Sequence, residues 1–331
     1  MSAVPLQHRL RPEALASTGK TVAVTGATGF VGRHAVAALA ARGWRVRVLA
    51  RSEPAHPLWR GLNPEVVLGA LDDGPALERL VHGTDAVLHL AGAIKARDTA
   101  AFMQVNRDGT AALVAAVQRA APDAHFLHVS SLAAREPQLS GYSASKQAGE
   151  AAVTQQLAPR QFSVLRPPAV YGPGDRETMV FFQLGAQPVI PLLGRPSARI
   201  AVIQVEDAVA AFASRLAAGP SGAIQYLADD QPAGYSWRQI LQAAADATGN
   251  ARPRYVQVPR PLLKGLGSAA SVGAGLLGKA AMFNAGKLRE LLHEDWSVNP
   301  AELFRPSPPP RYGLVEGFRS AAAWYRQAGW L

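Results

Sequence analysis

A chain of 331 residues with 48% hydrophobic content can bury a full core and fits one large α/β domain with a smaller lobe appended. It has no cysteine, which excludes disulfides, zinc-thiolate sites and thiol nucleophiles and suits a reducing, cytoplasmic compartment. The formal charge of +10 points to anionic partners, a dinucleotide or an acidic membrane face; with only 7% aromatics and arginines scattered singly, nucleic acid is not expected as a partner.

Residues 1–19 are polar, carry Pro5, His8, Arg9, Arg11 and Pro12, and read as a flexible arm without the apolar core of a secretory signal. Structure begins with KTVAVTGATGFVGRHAVAAL (20–39). Thr21 to Thr25 branch like a buried parallel strand, His34 to Leu39 are good helix formers, and Gly26, Gly29 and Gly32 fall where one becomes the other. Missing side chains let the backbone approach a pyrophosphate, and the helix start presents unpaired N–H groups to negative charge. Thr28, Phe30 and Val31 complete the expected cofactor cradle. The spacing G-x-x-G-x-x-G is one residue longer in its first gap than the common dinucleotide fingerprint, so the flanking strand and helix carry the argument.

A second strand, RVRVLA (45–50), ends in Arg51-Ser52. An acid there would bind a ribose 2′-OH, whereas Arg51, helped by Arg33, suits the extra phosphate of NADP. NADPH is therefore the expected cofactor and NAD(H) the alternative; the plain reading of Arg51 is a solvated strand end. Further strands are expected at 65–68, 86–90, 124–130 and 162–165, with helices over 101–119 and 142–157, which implies crossover units and a parallel sheet. From Val170 the composition shifts to turns, short strands (201–205, 225–227), helices (207–217, 237–248) and proline-rich joints. The expected fold is a Rossmann-type doubly wound parallel sheet over 20–171, followed by a smaller α+β substrate-binding lobe over 172–331.

Tyr142 and Lys146 lie four apart on one expected helix and share a face. Delivering hydride to a ketone leaves an alkoxide that must be protonated. A phenol with a reference pKa of about 10 becomes a usable acid when a neighbouring ammonium lowers that value. An isolated Y-x-x-x-K is most often a surface pair, but here it follows a nucleotide turn and a serine-tipped strand.

In order, the chain gives TGATGFVG (25–32), HLAG (89–92), VNRDGT (105–110), HVSSLA (128–133), YSASK (142–146), LRPPAVYGPGD (165–175) and VIQVEDAVAAF (202–212). This series resembles the extended short-chain dehydrogenase/reductase superfamily, of the NAD-dependent epimerase/dehydratase type, from residue 21 to about Thr248. The resemblance implies an NAD(P)-dependent oxidoreductase with Ser131, Tyr142 and Lys146 as catalytic residues, Ser131 favoured over Ser130 by register. It further implies that Leu90, Ala91 and Gly92 line the cofactor's phosphates and ribose, that Ser130, Tyr142 and Lys146 also face the cofactor, that Pro167 to Val170 meet the nicotinamide amide, and that Asn106 lies behind the site. One departure is visible: Ala70 stands where the family usually has an Asp toward adenine, leaving the Leu71 backbone or Asp72 for that contact.

His89 and His128 read as satisfied core histidines, and no spacing suggests a metal site. The apolar stretch 262–283, with Lys264 before the uncharged run 265–278 and Lys279, Lys287 and Arg289 after it, is too short to span a bilayer. It reads equally as a contact with an anionic membrane, on the inner face of the cell membrane, or as a buried cap on the substrate pocket. With KLRELLHEDW (287–296), it makes the chain look closer to bacterial 3β-hydroxysteroid dehydrogenase-like and 3-oxo-ceramide reductase-like proteins than to sugar-nucleotide epimerases. The expected activity is NADPH-dependent reduction of a ketone on an apolar, lipid-like substrate; a homodimer is compatible with it. Two alternatives stay open: a nucleotide-sugar epimerase or dehydratase using Arg176, Arg195 and Arg199 on a diphosphate, and a non-catalytic subunit that merely holds a nucleotide.

Overall fold

The structure, a computed structural model, describes residues 18–259 and 285–331. The expectations for the N-terminal arm up to residue 17 and for the apolar stretch 262–283 lie outside the described residues.

Seven parallel strands form the central sheet, in the order β11-β6-β5-β4-β1-β2-β3. They are β1 (Thr21–Thr25), β2 (Arg45–Ala50), β3 (Glu65–Leu68), β4 (Ala86–His89), β5 (His125–Val129), β6 (Phe162–Arg166) and β11 (Ile224–Tyr226). Alternation of side chains decides which face each residue serves. Val22 and Val24 of β1, with Leu88 and Leu127 beside them, pack under α1 (Phe30–Ala40) and α7 (Val205–Ala218). Ala23, Val87, Phe126 and Val164 point the other way, under α2 (Gly74–Val81), α4 (Gly109–Ala120) and α5 (Gly141–Gln156). Both faces of the sheet are therefore dry, which is why its strands read as near-continuous apolar runs.

The chain runs outward from β1 to β2 and β3, then returns to β4 on the other side of β1, which opens a crevice at the carboxyl ends of β1 and β4. Residues beyond 172 re-enter this body: β11 pairs with β6 through Ile224–Val164, and α7 covers the sheet. The other C-terminal elements close a second core around Tyr171, Phe182, Trp237, Phe318 and Tyr325, formed by α6 (Met179–Gly185), α8 (Trp237–Thr248) and α10 (Leu314–Gln327). Short parallel pairs join β7 (Ala169–Tyr171) to β10 (Val202–Gln204), β8 (Val189–Leu192) to β12 (Arg254–Gln257), and β9 (Arg199–Ile200) to β13 (Asp295–Trp296). One more helix, α9 (Ala285–Leu292), docks against the start of α5.

The helix expected over 101–119 is not continuous. It is α3 (Thr99–Met103), a π-turn over Gln104–Asp108, and α4. The extra residue in the turn swings Asn106 inward, where its side chain accepts from Ala93 N at 2.7 Å and donates to Ala93 O at 3.1 Å and to Ser145 Oγ at 2.8 Å.

Candidate active site

The three glycines expected to cradle a nucleotide have separate structural tasks. Gly26 has φ +70°, and a Cβ there would lie 2.6 Å from Ala91 N, so the first turn fits only against the end of β4. At Gly32 a Cβ would meet Gly26 O at 2.0 Å, which fixes how closely α1 packs on the turn. Gly29, the N-cap, is exposed and has only Gly26 O within reach of a Cβ, at 3.2 Å. Its missing side chain clears the space in front of the helix rather than inside the fold. No side chain caps α1 and no acid stands in its first turn, whereas Asp73 caps α2 and Ser140 caps α5. The Phe30, Val31 and Gly32 amides at that end are left for an anion. Thr28 is exposed beside them, and Leu90, Ala91 and Gly92 continue the same rim from β4. These residues fit a dinucleotide's pyrophosphate.

At the other end of the crevice the sheet edge and α5 bring the expected chemical groups together. Ser131 is the N-cap of a short 3₁₀ turn after β5, accepting from Ala133 N at 3.1 Å, and its hydroxyl stands near the Tyr142 phenol, where it favours the ionised form. Ser130 faces the opposite way: its hydroxyl donates to buried Glu150 Oε1 at 2.5 Å, and Arg166 Nε and Nη2 hold the same carboxylate. The Ser130 hydroxyl is thus committed to the interior, and of the two serines it is Ser131 that stands near the phenol. Lys146, one turn beyond Tyr142, is buried and donates from Nζ to Val129 O at 3.0 Å. A Cβ on Gly92 would lie 3.1 Å from Asn106 Oδ1 and 3.8 Å from Lys146 Nζ, so the nucleotide rim and the lysine adjoin. Pro167 is buried and its carbonyl accepts from Leu132 N at 2.8 Å; Val170 is half-buried on β7.

The electrostatics depart from the sequence reading in one respect. Lys146 was expected to lower the Tyr142 pKa, yet the phenol is pushed up to about 12. Burial is the main cause; the nearby Ser131 hydroxyl works against it and the negative charge of Glu290 adds to it, while the Phe102 ring stands edge-on 6.0 Å away. Burial likewise holds Lys146 down to about 8, partly offset by Glu150. Tyr142 is therefore a protonated phenol at neutral pH, placed to give a proton rather than to take one.

Other expectations divide. Arg51 is exposed at the end of β2, free to meet a phosphate, while Arg33 donates to the carbonyl of Gly174 and lies 5.8 Å over the Phe30 ring. Leu71 packs on Gly109, and Asp72 is exposed. The three arginines weighed for a diphosphate are engaged elsewhere. Arg176 stacks on Trp330 at 4.7 Å, Arg195 pairs with Glu294 at 3.2 Å, and Arg199 Nη1 donates to the carbonyls of Pro196, Ser197 and Ala198. His89 is satisfied by Thr25 Oγ1 at 2.6 Å and Thr110 Oγ1 at 2.9 Å. His128, stacked on it at 5.2 Å, is not: neither ring nitrogen has a hydrogen-bond partner among the described residues. No group of metal-ligating side chains occurs among the described residues. The contribution of Glu290, 148 positions after Tyr142, had no signal in the sequence near the tyrosine.

A parallel sheet with a nucleotide turn at its switch point and a Ser/Tyr/Lys cluster beside it defines a dinucleotide-dependent oxidoreductase. The chain belongs to the NAD dependent epimerase/dehydratase family, whose model matches residues 22–225. It is 46% identical over 311 residues to a protein of Caulobacter vibrioides named ceramide reductase, covering 94% of this chain and 96% of that one. It is also 35% identical over 170 residues to the 4-hydroxy-2-methyl-3-oxo-4-farnesyl-3,4-dihydroquinoline-1-oxide ketoreductase of Stigmatella aurantiaca, covering 46% of this chain and 51% of the relative. Among solved structures, the Thermus thermophilus UDP-glucose 4-epimerase in complex with NAD superposes with a TM-score of 0.68 at 22% identity, over 93% of this chain and 99% of that one, which shows a shared fold.

Proposed function

We propose that the protein reduces a ketone to a secondary alcohol on a lipid-like substrate of the 3-oxo-ceramide type, with NADPH as reductant. The observation that carries this reading is the convergence of Ser131, Tyr142 and Lys146 beside the nucleotide rim at Gly92. A nicotinamide dinucleotide held along the Gly26–Gly32 turn and the Leu90–Gly92 rim would supply hydride to a carbonyl carbon. Ser131 holds the carbonyl oxygen toward the phenol, and Tyr142, protonated at neutral pH, gives its proton to that oxygen as charge develops there. Lys146 answers the phenolate left behind with its ammonium, from a position fixed by the Val129 carbonyl.

The name of the Caulobacter relative, ceramide reductase, supports a long-chain amide lipid as substrate, and the engaged state of Arg176, Arg195 and Arg199 argues against a sugar diphosphate. Arg51, exposed and without an acid at its strand end, supports NADPH over NADH. The lobe over 172–331 is assigned the substrate, and the surplus of basic residues a peripheral contact with an anionic membrane.

Two variants in one set of titrations test this. Tyr142→Phe should abolish ketone reduction and leave the nucleotide Kd nearly unchanged. Arg51→Glu should keep NADH turnover and lose NADPH preference by about tenfold to a hundredfold, since a charge-assisted contact is worth about 1.5–3 kcal/mol. Retained turnover in Tyr142→Phe removes the mechanism; equal use of both nucleotides by the unmodified protein removes the cofactor assignment.

A further inference from the structure

Two large aliphatic side chains stand in solvent at the carboxyl end of the sheet, on backbone that is held in place. Ile94 is 61% exposed, more than any other large apolar residue described, and Val180 is 44% exposed. Ile94 follows the nucleotide rim by two residues, within about 7 Å of backbone from Gly92, and Gly92 itself adjoins Lys146 Nζ. From one side Asn106 fixes this loop by bonding both the amide and the carbonyl of Ala93. From the other, Lys95 Nζ meets Glu177 Oε1 at 2.6 Å, an ion pair that joins the loop after β4 to the segment leading into α6. That segment is fixed in turn. The buried Asp175 carboxylate accepts from Glu177 N at 2.9 Å and Thr178 N at 3.0 Å, and the Asp175 carbonyl accepts from the Tyr325 hydroxyl at 2.8 Å. Val180 lies three residues beyond Glu177, on the side of α6 away from Phe182, which is buried in the second core.

Exposed aliphatic residues found singly are common and need no explanation. Here one comes from the nucleotide body and one from the substrate lobe, and the Lys95–Glu177 pair draws their two segments together beside the Ser131, Tyr142 and Lys146 cluster. We propose that Ile94 and Val180 form an apolar lip that takes up the hydrocarbon of the ketone substrate as it leaves Tyr142, and that they set a preference for long chains. The proposal rests on the reading of the protein as a reductase of lipid-like ketones, and it names the side chains that select for the lipid part. A nucleotide sugar would bring hydroxyls and phosphate to this lip, where the aliphatic pair offers no donor and the neighbouring ammonium and carboxylate are paired with each other. A hydrocarbon chain laid there removes water from its own surface and from both side chains, an effect that is non-directional and grows with buried area. The lip therefore selects for chain length and not for one head group. Both residues are specificity-determining, since the proton is moved by other groups.

Calorimetric titration into the protein loaded with oxidised nucleotide, which cannot reduce a ketone, measures the effect. The probes are two N-acyl 3-oxo amines alike in amide and ketone, one with octanoyl on an eight-carbon base and one with acetyl on a four-carbon base. In Ile94→Ser and in Val180→Ser the long-chain probe should bind about tenfold more weakly, while the short-chain probe and the nucleotide keep their Kd within about twofold. Ile94→Leu, which keeps the volume, should stay close to the unmodified protein. With reduced nucleotide, kcat for the short ketone should be unchanged in both serine variants, as for residues that touch only the chain. Unchanged long-chain binding in either serine variant, or equal weakening of the long and short probes, overturns the proposal. Failure of the underlying reading looks different: the unmodified protein then binds neither ketone, or binds both and reduces neither. In the first case the lip falls with it; in the second the chain-length difference between variants still decides the lip.

Discussion

Lys146 and Tyr142 could be paired from their spacing alone, but the sense of their titration could not. A phenol and an ammonium are desolvated at one site, and desolvation moves their values apart: the phenol up to about 12, the ammonium down to about 8. Spacing on a helix reports proximity, whereas desolvation depends on everything packed around the phenol and charge on Glu290 from α9, which is not near in sequence. The order of the two values has a kinetic consequence. Lys146 is charged below about pH 8 and neutral above it, while Tyr142 keeps its proton across that whole range. Ketone reduction in saturating nucleotide should therefore lose activity above about pH 8, on the titration of the lysine and well before that of the phenol. Glu150 is the group that raises the lysine's value, so Glu150→Gln should move this alkaline limb to lower pH. A pH–rate profile flat to pH 10 would show that the Lys146 charge is not used.

Among the elements, the strand–turn–helix at 21–40 was legible because its constraint is local: three glycines stand between a branched run and an alanine-rich one. The structure separates their tasks, and the separation is testable by one methyl group each. Gly32→Ala puts a Cβ 2.0 Å from Gly26 O, a backbone contact that cannot yield cheaply, and should cost about 1–3 kcal/mol or more in stability. Gly29→Ala meets only one atom, at 3.2 Å, with φ at an ordinary −72°, so its melting temperature should stay close to that of the unmodified protein. Its nucleotide affinity should nonetheless fall at least tenfold, because the methyl group enters the space in front of the uncapped helix. Differential scanning fluorimetry beside nucleotide titration distinguishes the two; unchanged nucleotide binding in Gly29→Ala would place the pyrophosphate elsewhere. The π-turn at Gln104–Asp108 was not legible, since its sequence is helix-compatible throughout and the extra residue is fixed by Asn106 reaching Ala93 and Ser145. The short C-terminal strands were largely missed for a related reason: pairs of two to four residues carry too little periodicity to be read.

At the scale of the whole molecule, the seven-stranded sheet followed from the alternation of strands and helices, but the return of β11 and α7 to it did not, because a three-residue strand near position 225 has no sequence signal of its partner. The two cores are tied at the 172–175 turn, where Arg33 and His34 bond the carbonyls of Gly174 and Pro173, and Tyr325 bonds those of Gly172 and Asp175. Charge is the other whole-molecule property. No helix among the described residues is long and apolar enough to cross a membrane. The paired strands β8 and β12 expose Val189 and Val256, 49% and 53% accessible, beside exposed Arg252 and Arg254. Two half-exposed valines contribute at most about 1.5 kcal/mol each on burial, and each arginine at an anionic surface about 1 kcal/mol, so the contact expected here is weak and reversible. The protein should float with acidic vesicles at low salt, should be released at high salt as the counterion atmosphere screens the arginines, and should not float with neutral vesicles. Val256→Asp should weaken flotation further than loss of one methyl-rich side chain predicts, because it adds an anion to a basic face. Absence of flotation with acidic vesicles at low salt would mean that the substrate reaches Tyr142 from solution, and the surplus of positive charge would then have to serve the nucleotide alone.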